Sequence, residues 1–208
     1  MSAIRLDAPP VTVAGSSPYP WPYDEDLIPH RLALVVAGAQ RWWAERTDEG
    51  QAMAATSAAI AAHLRRIGVK IFLVRHLCPV GRDSARGRLP ALGSPGAELV
   101  IEPEPGDVVI DAWGFDGFFA SSLDAELRAA GRDLVVVAGL GLQGPVHSTL
   151  RSANDRGFEC LLLEDASSPT EASALPPSLS MVEMSGGIFG AVGTTQALLE
   201  ALSVQGNA

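Results

Sequence analysis

Two neighbours in this 208-residue sequence, Cys78 and His76 two positions before it, could supply a nucleophile and its base without help from elsewhere in the chain. A thiol attacks a carbonyl carbon as its thiolate, and an imidazole within hydrogen-bond reach is a common means of producing one. The same cysteine has a plainer reading, a small half-buried thiol in an irregular turn, because unpaired cysteines are mostly core residues. Asp111, Asp116 and His147 are further acid–base candidates. Asp111 is otherwise expected to close a strand by accepting backbone amides, and His147 to face solvent in the first turns of a helix. His30, His63, His76 and His147 have no second ligand at helical or hairpin spacing, so neither a metal nor a cofactor is expected from them.

A different chemistry is written in Gly139-Leu-Gly141-Leu142-Gln143-Gly144, which is followed 20 and 21 positions past its last glycine by Glu164 and Asp165. In dinucleotide-binding turns such glycines bring amides against a pyrophosphate, and the acidic residue holds the ribose hydroxyls. Pro145 deletes one of those amides, and the motif lies past residue 130 instead of opening its fold. The alternative is a strand-to-helix turn that needs only small residues. A third group is aromatic: Trp42, Trp43, Trp113, Phe115, Phe118 and Phe119 fall in two short stretches. They read as an apolar pocket, as a subunit contact, or as rings filling space that would otherwise be a cavity.

Hydrophobic periodicity supplies the elements that must position these groups. Leu32–Ala37 is a short unbroken apolar run, the pattern of a strand buried on both faces. Residues 51–67 place Met53, Ala59, Ile60, Leu64 and Ile67 at helical spacing and stop at Gly68. Further strands are expected at 69–74, 107–110, 134–138 and 160–163, with a short one at 98–101 inside the Gly/Pro-rich loop from 79 to 105. Ser121 or Ser122 caps a helix to Ala130, Pro145 opens another to Arg156, and residues 194–202 form the last. Strands alternating with helices give an α/β fold whose parallel sheet is covered on both faces. Ligands then bind beyond the carboxyl ends of the strands. Residues 1–30 form a proline-rich arm that should lie extended, pinned by Tyr19, Trp21 and Tyr23, ahead of a single domain at 31–208.

Several strings, in order along the chain, resemble the isochorismatase-like cysteine hydrolases, and among them the biuret and ureidoacrylate amidohydrolase branch. They are PYPWPYDEDL, ALVVAGAQ, GDVVID, STLRSANDRGFECLLLEDA and MVEMSGGIFGAVGTTQALLEAL. The resemblance implies a three-layer sandwich with a parallel sheet of about six strands. It also implies hydrolysis of a C–N bond in a small amide or ureide through an acyl-enzyme on a cysteine, helped by an aspartate and a lysine. At the aligned positions this sequence has Gly38 for the aspartate, Ala112 for the lysine and Pro145 for the cysteine, and Ser185 replaces the glutamine of biuret-type members. None of the three offers an ionisable group, and losing one member of a nucleophile–base system costs on the order of 10⁴ in rate. The expected protein is a non-catalytic pseudoenzyme, a binding or assembly subunit, with pocket candidates Gln40, Trp42, Trp43, Trp113, Phe115, Leu142, Gln143, Gly144 and Ser185. The alternatives are an amidohydrolase with the relocated nucleophile Cys78, and dinucleotide binding through Gly139, Gly141 and Gly144.

Fifteen basic against twenty-four acidic residues give a net charge of −9 with no basic stripe, which argues against nucleic acid and anionic membranes as partners. The implied partners are a small molecule and either a second copy or a same-fold chain. Two distant cysteines and no long apolar run point to a soluble protein of the reducing cytoplasm.

Overall fold

The six residues Leu32–Ala37 are buried at every position, as a strand must be when it has neighbours on both edges and helices on both faces. This strand, β1, is the third in a six-stranded sheet of order β3-β2-β1-β4-β5-β6, in which every pair is parallel. The other strands are β2 (Lys70–His76), β3 (Val108–Ala112), β4 (Leu134–Leu140), β5 (Glu159–Ser168) and β6 (Ala191–Gly193). The computed structural model describes residues 11–47, 49–78 and 89–205.

The two faces of β1 belong to two separate cores, as alternation along a strand requires. Leu32, Leu34 and Val36 pack with Ile60 and Leu64 of helix α2 (Gly50–Arg66) and with Leu198 and Leu202 of α6 (Thr195–Gln205). Ala33, Val35 and Ala37 pack with Leu123 and Leu127 of α3 (Leu123–Ala129), Leu150 and Ala153 of α4 (His147–Asp155), and Val182 of α5 (Leu175–Gly187). A one-turn helix, α1 (Arg41–Ala44), follows β1 directly. The result is the expected three-layer α/β sandwich.

Several boundaries differ from the sequence reading. β2 runs on to His76, β3 takes in Asp111 and Ala112, and β5 continues to Ser168 past a register shift between Val137 and Gly139. The strand expected at 98–101 does not form: Leu99 makes a single bridge to Gln40. Helix α5 and strand β6 escaped the periodicity because Leu-Pro-Pro and Met-Ser-Gly-Gly read as breakers. The prolines sit in the first turn, where their missing amide has no helical acceptor to serve. Met184, Ser185 and Gly186 are non-helical and kink the far end.

The arm is not simply extended. From Val11 onward it doubles back, pairing Val13 with Trp21, and its Ser17 bridges Val192 on the outer edge of β6, so that edge is covered. Trp21 is fully buried and Tyr19 packs against the first core. Tyr23 does not pin the arm with its ring, which is exposed; a turn closed by the Glu25 N–H on the Pro22 carbonyl swings it outward. The Tyr23 backbone N–H instead donates to the Glu159 carboxylate. The arm before Val11 and the loop at 79–88 lie outside the described residues. Among the described residues no helix is long and apolar enough to cross a membrane.

Candidate functional site

In this strand order the chain moves to opposite sides of the sheet from β1 and β4, so the crevice that parallel sheets offer to ligands opens between the carboxyl ends of those two strands. Gly38 stands at the end of β1, Gly139 lies within β4 one residue before its end, and Gly141 and Gly144 stand along the turn that follows. Beyond Gly38 the chain makes the single turn of α1, which returns Trp43 over the crevice. A β-carbon built at Gly141 would lie 2.6 Å from Trp43 Cε3, one at Gly38 3.1 Å from Trp43 Cδ1, and one at Gly144 3.1 Å from Phe115 Cδ1. The Trp43 and Phe115 rings meet edge to face with centroids 6.2 Å apart. Trp43 is buried, and its Nε1–H has no hydrogen-bond partner among the described residues. The crevice is therefore filled by an indole, with the glycines as its floor.

This packing accounts for the glycine motif without a dinucleotide. The Gly141 amide donates to the Ser168 carbonyl at 3.0 Å and the Gly144 amide to the Gly141 carbonyl at 2.9 Å, so neither faces a phosphate. Asp165 caps α6, accepting from both the backbone N–H and the hydroxyl of Thr195 at 2.9 Å. The acidic residue proposed for a ribose thus holds a helix terminus.

The remaining candidates scatter. Trp42 is half-buried, stacks under the Arg46 guanidinium at 3.5 Å and lies against Gly96, because adjacent residues on a helical turn point about 100° apart. Phe118 is buried and stacked on Phe158, Phe119 is exposed, and Trp113 is half-buried, so the six aromatics form no single cluster. Leu142 is fully buried in the second core and Pro145 is buried within a π-helical turn, Leu142–Val146. Gln143 is exposed and accepts the Thr170 amide at 3.0 Å; Ser185 is exposed in the kink of α5. Ala112 is fully buried beside His76, its partner in register. Ser167 and Ser168 are buried opposite Gly139 and Leu140, because β5 continues past the end of the apolar run at Leu163; the run places them beyond the strand, not within it.

Gln40 is fully buried as a clamp: its Oε1 accepts the His76 backbone N–H at 2.6 Å and its Nε2 donates to the His76 carbonyl at 3.3 Å. It fixes the turn after β1 to the end of β2, with both polar ends of the side chain engaged. His76 donates from Nδ1 to the Gly114 carbonyl at 2.9 Å, while its Nε2 is buried with no partner among the described residues. Strand alternation puts the ring on the side of Phe72 and Val74, whereas Cys78 packs against the opposite core. The candidate Cys–His pair is therefore divided between the two faces. Cys160 is fully buried, and burial pushes its thiol well up, which makes it inert.

Among the described residues Asp111 accepts from no backbone amide; it forms a two-pronged ion pair with Arg75, its register partner, at 2.6 and 2.8 Å, because β3 extends far enough to carry it. Asp116 accepts the Ser152 hydroxyl and the Phe118 amide, each at 2.8 Å. His147 does not face solvent: the π turn adds a residue to the preceding turn and rotates the ring inward, where Nε2 meets the Ser178 carbonyl at 3.1 Å. Burial lowers its pKa, with the Ser178 contact opposing. Among the described residues no group of three or more His, Cys, Asp or Glu could hold a metal ion.

Burial also lowers the His76 pKa to about 4 from 6.5, the Gly114 hydrogen bond opposing. The folded protein then resists protonation that the unfolded chain accepts, so this contribution is complete above pH 6.5 and is lost as pH falls toward about 4. The size is roughly 3 kcal/mol, from 1.36 kcal/mol per unit. His147 acts in the same direction, and Glu159, whose pKa burial raises, acts in the opposite one. Urea midpoints at about pH 7.5 and about pH 4.5 should differ strongly in the wild type and clearly less in His76→Gln.

A doubly wound parallel sheet with its crevice at the switch point defines the class. Residues 32–197 match the family model for the isochorismatase domain, and the chain belongs to the isochorismatase family. It is 36% identical over 96 residues to the ureidoacrylate amidohydrolase RutB of Variovorax paradoxus (strain S110), a stretch covering 45% of this chain and 38% of that protein. It is 38% identical over 87 residues to RutB of Caulobacter vibrioides (strain ATCC 19089 / CIP 103742 / CB 15), covering 41% of this chain and 39% of that protein. The matched stretches thus span about two fifths of these relatives' length. Among solved structures, a cysteine hydrolase from Pseudomonas syringae pv. phaseolicola 1448A superposes with a TM-score of 0.74 at 22% identity, covering 84% of this chain and 95% of that one. The N-carbamoylsarcosine amidase of Thermoplasma acidophilum does so with a TM-score of 0.69 at 25% identity, covering 79% of this chain and 96% of that one.

Proposed function

We propose that this chain is a non-catalytic member of the isochorismatase family, a pseudoenzyme acting as a binding or assembly subunit in a reducing cytoplasm. The observation that carries the reading is the Trp43 ring seated against Gly38, Gly141 and Gly144, where a carbonyl substrate would have to lie. The three positions at which the family resemblance expects an aspartate, a lysine and a cysteine hold Gly38, Ala112 and Pro145. Carbonyl hydrolysis needs a nucleophile, a base and a donor for the developing oxyanion around one vacant volume. Here that volume is occupied by an indole, and the remaining cysteine–histidine combination is split between two faces. With the crevice closed, what such a scaffold offers a partner is its outer surface, either to another copy of itself or to a same-fold chain that keeps the missing groups.

Purified protein incubated with ureidoacrylate and with N-carbamoylsarcosine should release no product above the buffer blank. Turnover that is lost on thiol alkylation and in Cys78→Ser would overturn the proposal in favour of an amidohydrolase with a relocated nucleophile.

A further inference from the structure

We infer that the crevice at the switch point of the sheet is a slot for a flat, uncharged aromatic bicycle, held shut in this chain by its own Trp43. The inference rests on the non-catalytic reading of that crevice and specifies what the crevice recognises. Its floor is the backbone at Gly38, Gly141 and Gly144, where the absence of β-carbons leaves room for a ring. Its wall is Phe115, edge-on to the indole. Among the described residues, the atoms nearest to a β-carbon at these glycines belong to Trp43, Phe115 and the Leu140 carbonyl, none of them charged. The slot is apolar in a specific sense as well: the Trp43 Nε1–H is buried without an acceptor among the described residues. A ring of the same size lacking that donor would fit with no unsatisfied group, and an unmade buried hydrogen bond is costly.

The plug is carried by a weak element. Helix α1 is a single turn of four residues in which both the Trp43 and the Ala44 amides donate to the Gln40 carbonyl. Up to Gln40 the segment is fixed, by the clamp on His76 and by the Val100 amide on the Ala39 carbonyl; beyond it α1 is held by the Arg41 amide on the Glu98 carbonyl, the exposed Arg41–Glu98 ion pair and the Thr47 hydroxyl on the Trp43 carbonyl. Exposed ion pairs and single helical turns contribute little to stability, so local opening of α1 requires far less than unfolding of the sheet. Opening would lift the indole and leave the glycine floor free for a molecule of the same shape.

The test removes the plug from the full-length chain and offers replacements. Trp43→Gly should lose thermal stability and regain it on addition of benzothiophene, with one molecule bound per chain by calorimetry. Indole should bind the same variant roughly tenfold more weakly or worse, because its N–H finds no acceptor. Adding Phe115→Ala should weaken benzothiophene further, and Trp42→Gly should bind neither compound. A folded Trp43→Gly that binds neither compound, binds indole as tightly as benzothiophene, or binds no better than Trp42→Gly overturns the inference. Should that variant not fold, hydrogen exchange at the Trp43 indole N–H of the wild type decides. Exchange at least about a hundredfold faster than at the Val35 and Val137 amides supports a plug that opens locally, and exchange in step with them overturns it. None of these readouts involves turnover, so ureide hydrolysis by the wild type would sink the non-catalytic reading while leaving the binding result to stand or fall by itself.

Discussion

Gly139→Ala should cost more than about 4 kcal/mol, a large share of the roughly 5–15 kcal/mol that holds a domain of this size together. Gly139 is the register partner of Ala37 at the centre of the sheet, and its φ of +136° is one that side-chain-bearing residues rarely adopt. An added β-carbon would overlap the Ala37 carbonyl, a backbone group that cannot move without separating β1 from β4. Gly131 provides the contrast: its φ is +66°, but no atom lies within 4 Å of a β-carbon built there. Alanine at that position should cost only the left-handed backbone penalty of about 1–2 kcal/mol. Urea titrations of the two variants should give widely separated midpoints, with Gly139→Ala unfolded or insoluble. Equal losses would mean that the close approach of β1 and β4 is not as described.

Gly38→Asp, which restores the residue type expected of a family base, should cost about 4 kcal/mol and yield no hydrolysis. Aspartate tolerates positive φ better than most residues, so the φ of +69° at Gly38 is the smaller obstacle. The larger ones are the Leu140 carbonyl, which the new β-carbon would strike, and Trp43 Cδ1 at 3.1 Å. The carboxylate would also enter a buried site where the orphaned Trp43 Nε1–H is the nearest donor, and one neutral donor does not replace the hydration of a charge. Combining it with Trp43→Gly removes the ring contact and the apolar wall but leaves Leu140 in place, so only part of the loss should return. Denaturation of Gly38→Asp, together with ureide assays on the triple variant Gly38→Asp, Ala112→Lys, Pro145→Cys, provides the check. Near-native stability in the single variant with turnover in the triple one would show that the crevice still accommodates an active constellation.

The boundaries of β1 were legible to the residue because an unbroken apolar hexamer between polar neighbours has one good home, a strand covered on both faces. The helix at 51–67 was legible because its periodicity and its terminal glycine agree. Helix α5 was not, since prolines and glycines that break a helix in its interior are harmless in its first turn and at its kinked end. His147 was placed on the wrong side by one residue of helical phase, which the π turn around Pro145 supplies and which no periodicity reveals. The run of amino acids thus determined the parallel sheet, the family likeness and the absence of ionisable groups at Gly38, Ala112 and Pro145, because these depend on residue type and local pattern. Which of two adjacent tryptophans enters the crevice, that Gln40 clamps His76, and that Gly141 and Gly144 face aromatic rings instead of a phosphate were decided only by tertiary structure. Each depends on which surfaces meet when strands far apart in sequence are brought side by side, and local pattern carries no record of that.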